Sequence, residues 1–277
     1  MKKFFIISAL ATLSFTQSFA QGLDSEDFQL FNHVSAGVSA GTDGIGFEVA
    51  APITYHFAVR AGYTFMPKLK YKTSIDLKSD NGTRPGAFSA DEVELEAKLN
   101  MGDFKLLFDY YPFKGSSFRA TAGFYVGKSS FVEVGNTAPF MNTGYEGKAG
   151  IELGDPIKGA ESRYTMFTDM NGDVKAELKV NSFKPYLGIG FGRAVPKGRV
   201  GVQCDMGVQF WGTPEVWANM NYVDRTTGNV VTRYEKVKKN RIINQKKDYK
   251  DLKDAIKTIE KVGVYPVLTL RINGRIF

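Results

Sequence analysis

Six charged residues carry the most chemistry in this sequence. Glu48, Arg60, Asp109, Arg119, Asp205 and Arg271 each stand in an alternating segment between mostly apolar adjacent neighbours, and in all but Asp109 the residues two positions away are small or polar. Three acids and three arginines brought to one enclosed side would hold one another, because a buried charge persists only when it is paired. Such a network can be a structural ion-pair plug, or it can select the charge of a solute that passes it. Other candidates are weaker. Gly37-Val38-Ser39-Ala40-Gly41 has the G-x-S-x-G spacing, but that motif needs a strand-to-helix elbow and here it lies within an alternating run. A lipid esterase would need a His beside that Ser, and the sequence offers only His33, expected to point inward, and His56, at a turn. Gly188-Ile189-Gly190-Phe191-Gly192 lacks the spacing of a dinucleotide loop. Asp169, Asn171 and Asp173 read as a turn rather than a calcium loop, since no Glu occupies the twelfth position. We expect no enzyme, metal or cofactor.

Those charges are positioned by strands. Period-two alternation, which gives a strand two different faces, runs through His33–Ala40, Ile45–Ala51, Phe57–Phe65, Phe104–Tyr110, Phe118–Gly127, Tyr186–Gly192, Arg199–Trp211 and Val264–Ile276. Short turns at Pro52-Ile53-Thr54, Pro112–Gly115 and Val195–Gly198 alternate with long links at Lys78–Asp91, Gly135–Asn181 and Gly212–Val262. Gly41–Gly44 is the one short link on the long side. Turns on one side and long loops on the other mark an outer-membrane barrel. A soluble barrel would carry Lys and Glu on its polar face. This polar face is rich in Gly, Ser, Thr and Gln, which a narrow eight-stranded lumen can hold. Aromatics near strand ends, among them Phe57, Phe65, Tyr110, Phe118 and Phe210, suggest two interfacial girdles. The expected fold is all-β: an eight-stranded antiparallel transmembrane β-barrel with long extracellular loops and one short helix in the last loop, although ten membrane strands also fit the spacing.

Composition narrows the rest. A mean hydropathy of −0.21 looks soluble, but it averages lipid-facing strands with a polar lumen and hydrophilic loops. The single Cys, Cys204, allows no intrachain disulfide and falls on the apolar face of its strand. Met1-Lys2-Lys3, the apolar run Phe4–Phe15 and the small-x-small site Ser18-Phe19-Ala20 read as a signal peptide over residues 1–20, leaving a barrel domain over 21–277. Its address is the outer membrane of a Gram-negative bacterium. The loops contain further turns at Lys78–Gly82, Asp169–Asp173 and Thr226–Asn229, a strand extension at Glu92–Lys98, and an amphipathic helix over Lys246–Lys261. Between Glu235 and Lys261 there are ten Lys/Arg and five Asp/Glu. Lys236, Lys238, Lys239, Arg241, Lys246 and Lys247 are candidates for contact with anionic lipopolysaccharide or another anionic partner, the plainer alternative being a solvated helical loop. No aromatic platform accompanies this run, so nucleic acid is not expected. Phe277 ends the chain on the face of Arg271 and Arg275 unless a bulge near Asn273-Gly274 shifts the register.

Several segments also resemble a known family. Gly41-Thr42-Asp43-Gly44-Ile45-Gly46, Lys184–Gly192, Gly207–Val216 and Asp251–Glu260 before Val264-Tyr265-Pro266-Val267 are similar, in that order, to CarO-type eight-stranded outer-membrane barrels, and more loosely to the OmpW and OmpA-like group. The resemblance implies a monomeric outer-membrane barrel that inserts through its C-terminal strand by way of the barrel-insertion machinery. It also implies uptake of small solutes, basic amino acids having been proposed for some members.

Overall fold

The computed structural model describes residues 33–67, 69–76, 86–145, 150–154, 164–169, 171–223, 230–238 and 247–276. Eight strands close into one antiparallel ring: β1 (Ser35–Gly41), β2 (Gly44–Pro52), β3 (Phe57–Phe65), β6 (Gly102–Tyr110), β7 (Phe118–Gly127), β12 (Phe183–Phe191), β13 (Val200–Phe210) and β16 (Val264–Arg275). The ring closes where β1 pairs with β16, so no barrel strand has a free edge. All eight expected segments are barrel strands, and the count is eight rather than ten.

The remaining strands form a second sheet beyond the long-loop end. They are β4 (Lys70–Asp76), β5 (Glu92–Leu99), β8 (Ser130–Asn136), β9 (Gly150–Gly154), β10 (Tyr164–Phe167), β11 (Lys175–Lys179), β14 (Glu215–Val223) and β15 (Val230–Lys236). Its order β4-β5-β8-β11-β14 copies the order of the barrel strands they continue, so one flank of the wall rises above the ring. This sheet has its own core of Phe88, Val93, Leu95, Phe140, Met141 and Val174. The expected extension Glu92–Lys98 is β5. A helix, α1 (Lys247–Glu260), precedes β16 and touches β14 and β9 through a face that buries Ile256.

The barrel is inside-out relative to a soluble domain. Val38, Phe47, Val49, Phe104, Leu187, Ile189, Val202, Met206, Leu270 and Ile272 are exposed on its outer wall, while acids, bases and glutamines fill the inside. Two aromatic levels bound that apolar band. Phe57, Tyr110, Phe113, Phe118 and Phe191 gather at the short-turn end, and Tyr63, Phe65, Phe104, Phe124 and Phe183 at the other.

Two sequence expectations change. His33 is not inward: β1 starts at Ser35, and His33 lies exposed before it. The bulge at Asn273-Gly274 is absent, because β1 and β16 pair without a slip from Val38↔Ile272 to Ser35↔Arg275. Residues 1–32, the turns over 77–85 and 224–229, the basic residues Lys239, Arg241 and Lys246, and Phe277 lie outside the described residues.

Candidate functional site

The six sequence-predicted charges all face the lumen and meet there. Arg60, Arg119 and Arg271 are each at most 1% exposed, and Asp109 is fully buried. Arg60 is the hub. Its Nε lies 2.9 Å from Asp109, and its Nη1 lies 2.9 Å from Asp205 and 3.4 Å from Glu48. Arg119 reaches Asp205 through Nη2 at 2.6 Å and Asp109 through Nε at 3.4 Å. It also donates to the Gly192 carbonyl. Thr121 donates to Asp109 at 2.7 Å. Arg271 touches Glu48 at 3.3 Å. Short side chains on the neighbouring wall make room for these heads: a Cβ on Gly190 would fall 2.5 Å from Asp205 Oδ1 and 3.1 Å from Arg119 Cζ.

Four members of the network were not singled out from the sequence. Lys105 pairs with Glu48 at 2.5 Å and approaches Asp43 at 3.9 Å, while Lys184 holds Asp103 at 2.6 Å. The alternation that exposed Asp109 also contains Lys105 and, one step before Phe104, Asp103. Lys184 was hidden by Pro185, which reads as a strand breaker. Pro185 is tolerated because β12 pairs with β7 at that position, whereas its pairing with β13 begins only at Tyr186. Asp43 enters from the β1–β2 turn, where Gly44 adopts φ 100° and a Cβ would fall 2.2 Å from the Phe65 carbonyl. Thr269 then donates to Asp43 at 3.0 Å. With these additions the network contains five cations (Arg60, Lys105, Arg119, Lys184, Arg271) and five carboxylates (Asp43, Glu48, Asp103, Asp109, Asp205), and so is neutral.

Both ends of the lumen are capped. At the short-turn end the link between β12 and β13 folds inward and buries Ala194. The Ala194 carbonyl accepts from Ser35 Oγ at 2.6 Å and from Asn273 Nδ2 at 2.8 Å, and its N–H donates to Tyr111 Oη at 2.8 Å. Gln203 holds the Arg193 carbonyl at 2.7 Å, and the Arg193 guanidinium lies 5.0 Å from the ring centres of Tyr55 and Tyr111. At the other end Trp211 stacks on Tyr265 at 4.4 Å and meets Phe131 at 4.5 Å, over Met101 and Val180. Trp211 Nε1 donates to Gln209 at 2.9 Å.

The weaker motifs carry no site. Ser39 is buried in the barrel wall, and His33 lies exposed six positions before it, roughly 20 Å of extended strand away. His56 holds the Tyr111 carbonyl at 2.7 Å in its turn. Asp169 accepts from the backbone of Asn171 and Asp173, a plain turn. No cluster of metal ligands occurs among the described residues.

The extracellular sheet has a charged face. Lys179 lies 4.4 Å from the Trp217 ring centre and 4.7 Å from that of Tyr234. Burial pushes Glu177 upward, but hydrogen bonds from Lys175 and Tyr234 outweigh it and leave the carboxyl below its ordinary value. Glu215 is held down first by its hydrogen bond from Lys236, at 3.0 Å. Burial drives Tyr234 up. Lys238 stands exposed 4.0 Å from Glu235, and Lys247 opens α1.

A closed ring, an apolar outer band between two aromatic levels and a charged, paired interior define a transmembrane β-barrel of the outer-membrane class. No family model matches the chain, and no curated protein does. Among solved structures it is similar to CarO2 of Acinetobacter baumannii, with 18% identity over 89% of this chain and 99% of that one and a TM-score of 0.45. It is likewise similar to CarO of Acinetobacter baumannii, with 16% identity over 87% and 96% of the two chains and a TM-score of 0.43. Both carry the CarO name, the type that the sequence resemblance named.

Proposed function

We propose that this protein is a narrow outer-membrane channel for small solutes, basic amino acids among them, described here in its closed state. The observation that carries the reading is the lumen itself: ten ionisable groups bridge its two caps, where a purely structural barrel could use apolar packing at no loss of stability. Five carboxylates offer partners for a cationic solute, and the inward turn at Ala194 is held by a few side-chain hydrogen bonds that can be released without breaking the wall. The reading includes residues 1–20 as a cleaved export signal, the strand ending at Phe277 as the segment that the insertion machinery takes, and a monomer in the membrane.

The test is conductance in planar bilayers. The wild type should show small, infrequent openings. Ser35→Ala combined with Asn273→Ala, which removes two bonds to the Ala194 carbonyl, should make them more frequent. If both proteins are ion-tight while folded, as judged by heat-modifiable gel mobility, the channel reading is wrong.

A second reading is favoured by the extracellular sheet, whose separate core exceeds what a connection between strands requires. In it the barrel binds lipopolysaccharide or an anionic partner through the basic loop of Lys236, Lys238, Lys239, Arg241, Lys246 and Lys247. Replacing Lys238, Lys239, Arg241 and Lys246 by Gln should weaken lipopolysaccharide binding and flatten its salt dependence. Unchanged binding would refute it.

A further inference from the structure

We propose that Arg271 is a binding station for a small carboxylate inside the lumen. This inference deepens the channel reading and rests on it for access of the ligand. The Arg271 side chain is fully enclosed. Its Nη1 is engaged by Glu48 at 3.3 Å and by Gln203 Oε1 at 3.4 Å. Its other edge, formed by Nε and Nη2, has no acceptor among the described residues. Those two N–H groups lie side by side in the plane of the guanidinium. They form the fork that the two oxygens of a carboxylate match, and Arg is chosen over Lys where such bidentate recognition matters.

Arg271 differs in this from the other lumen cations. Arg60 spreads its donors over Asp109, Asp205 and Glu48. Arg119 has Asp109, Asp205 and the Gly192 carbonyl. Lys105 has Glu48, and Lys184 has Asp103. A buried donor without an acceptor loses its hydration with nothing in return, and the loss is greater when it is charged. Arg60 Nε and Arg119 Nε also lack a well-aligned hydrogen bond, but each has an Asp109 oxygen at 2.9 and 3.4 Å, whereas Arg271 meets its carboxylate, Glu48, through Nη1.

The surroundings add a donor. Ser39 sits directly across the β1–β16 pair from Arg271, on the same inner face, and its buried hydroxyl also lacks a partner. Beside them stand Gly37, where a Cβ would come within 2.9 Å of Arg271 Nε, and Gly46, where one would come within 2.7 Å of Ser39 Oγ. The wall packs closely there, and a side chain at either position would press on the fork or on the hydroxyl. Glu48 is the carboxylate nearest the station and lies on the opposite, Nη1 side of the guanidinium, where it does not compete for the fork. Asn273 Oδ1, also unpartnered, is an acceptor and bounds the site on the side of the Ala194 turn. The ligand class is therefore a small monocarboxylate: two oxygens on the Arg271 fork and one hydrogen bond from Ser39.

The experiment is an arginine Nε–H spectrum of the full chain, folded in detergent micelles, as sodium acetate replaces sodium chloride at constant ionic strength. One Nε–H signal, the one missing from Arg271→Lys, should move and saturate while those of Arg60 and Arg119 stay. Ser39→Ala should raise the half-saturating acetate about three- to tenfold, the loss of one hydrogen bond. It alters none of the ion pairs, so it keeps the test decisive if Arg271→Lys does not fold. A folded protein without a saturating Arg271 signal, including one with a water-filled fork only, overturns the proposal. Bilayer conductance separates it from the channel reading. Conductance without the shift leaves the channel and removes the station, and the shift without conductance does the reverse.

Discussion

Asp205→Ala tests whether the lumen is a dry, coupled network. The substitution removes the carboxylate shared by Arg60 Nη1 at 2.9 Å and Arg119 Nη2 at 2.6 Å. Arg60 keeps Asp109 at 2.9 Å and Glu48 at 3.4 Å, whereas Arg119 keeps only Asp109 at 3.4 Å and a backbone carbonyl. The neutral lumen gains one uncompensated positive charge, centred on Arg119. Opposite charges about 4 Å apart attract by about 1 kcal/mol in bulk water but by about 4 kcal/mol at an effective dielectric constant of 20. Removing one partner of a buried pair costs about 3–5 kcal/mol. The partners left to Arg60 place the expected loss near 3 kcal/mol. Adding Arg119→Met removes the stranded cation, so the double variant should recover about 1–2 kcal/mol of that loss despite losing a second polar contact. The assay is reversible urea unfolding in lipid vesicles, followed by tryptophan fluorescence and checked by gel mobility. If Asp205→Ala lies within about 1 kcal/mol of the wild type, the pairs are screened as surface pairs are and the lumen is wet. If the double variant is less stable than the single one, the coupling argument fails.

Three further outcomes are expected. Gly190→Ala should destabilise the barrel by about 1–3 kcal/mol, because the new methyl meets Asp205 at 2.5 Å and the Cys204 carbonyl at 2.9 Å; an unchanged unfolding midpoint would mean that the network shifts freely. Phe140→Ala should cost about 3–5 kcal/mol locally, read as faster amide exchange in β5, β8 and β11 with barrel amides unchanged. The depressed carboxyls of Glu96, Glu177 and Glu215 stabilise the extracellular sheet above their ordinary value of 4.5, and that contribution fades as the pH falls through their lower folded values. In a Trp211→Phe background the emission of Trp217 should therefore change with acid below about pH 4.5, and a flat profile down to pH 2 would count against this linkage.

The barrel was legible because its alternation is tied to a real difference in surroundings. In β13 every second residue from Val200 faces lipid and every second one from Gln203 faces charge, so period and burial coincide. The pairing was not legible in the same way. Alternation puts Asp109 and Arg60 on the inner face, but only closure of the ring sets Asp205 of β13 against Arg60 of β3 across the lumen. Lys184 was missed because a proline normally ends a strand, and the one-sided pairing that excuses it is a tertiary fact. Asp43 was missed because a turn residue has no alternation from which to infer an inward direction. The inward turn at Ala194 left no sequence signal either: what buries it is a set of acceptors and donors contributed by β1, β13, β16 and Tyr111. The extracellular strands were partly legible, as β5 was, but the order of their sheet follows from the order of the barrel strands beneath them.

The two caps differ in kind, and on the channel reading that difference says where opening begins. The extracellular cap is a stack of Trp211, Tyr265 and Phe131 contributed by three separate chain segments. Trp211 follows β13 directly, Tyr265 lies within β16 and Phe131 within β8. The backbone of Trp211 is also tied at N to the Gly263 carbonyl and at its own carbonyl to Asn181, so moving this cap pulls on strand ends. The short-turn cap is one contiguous loop between β12 and β13. Its Ala194 contacts come from side chains of Ser35, Asn273 and Tyr111, none of which is needed for the barrel's backbone ladder. Withdrawing the loop exposes Arg119, Gln203 and Asn273, which can take water in exchange for the lost carbonyls, and opens only a small apolar cluster of Ala50, Ala58, Tyr111 and Ala194. The exchange costs little because each broken hydrogen bond is replaced by one to solvent, about 0.5–1.5 kcal/mol net. Separating the aromatic stack instead exposes apolar rings with nothing to replace their contacts. On the channel reading the loop at Ala194 is thus the cheaper element to move, and the path would open from the short-turn end.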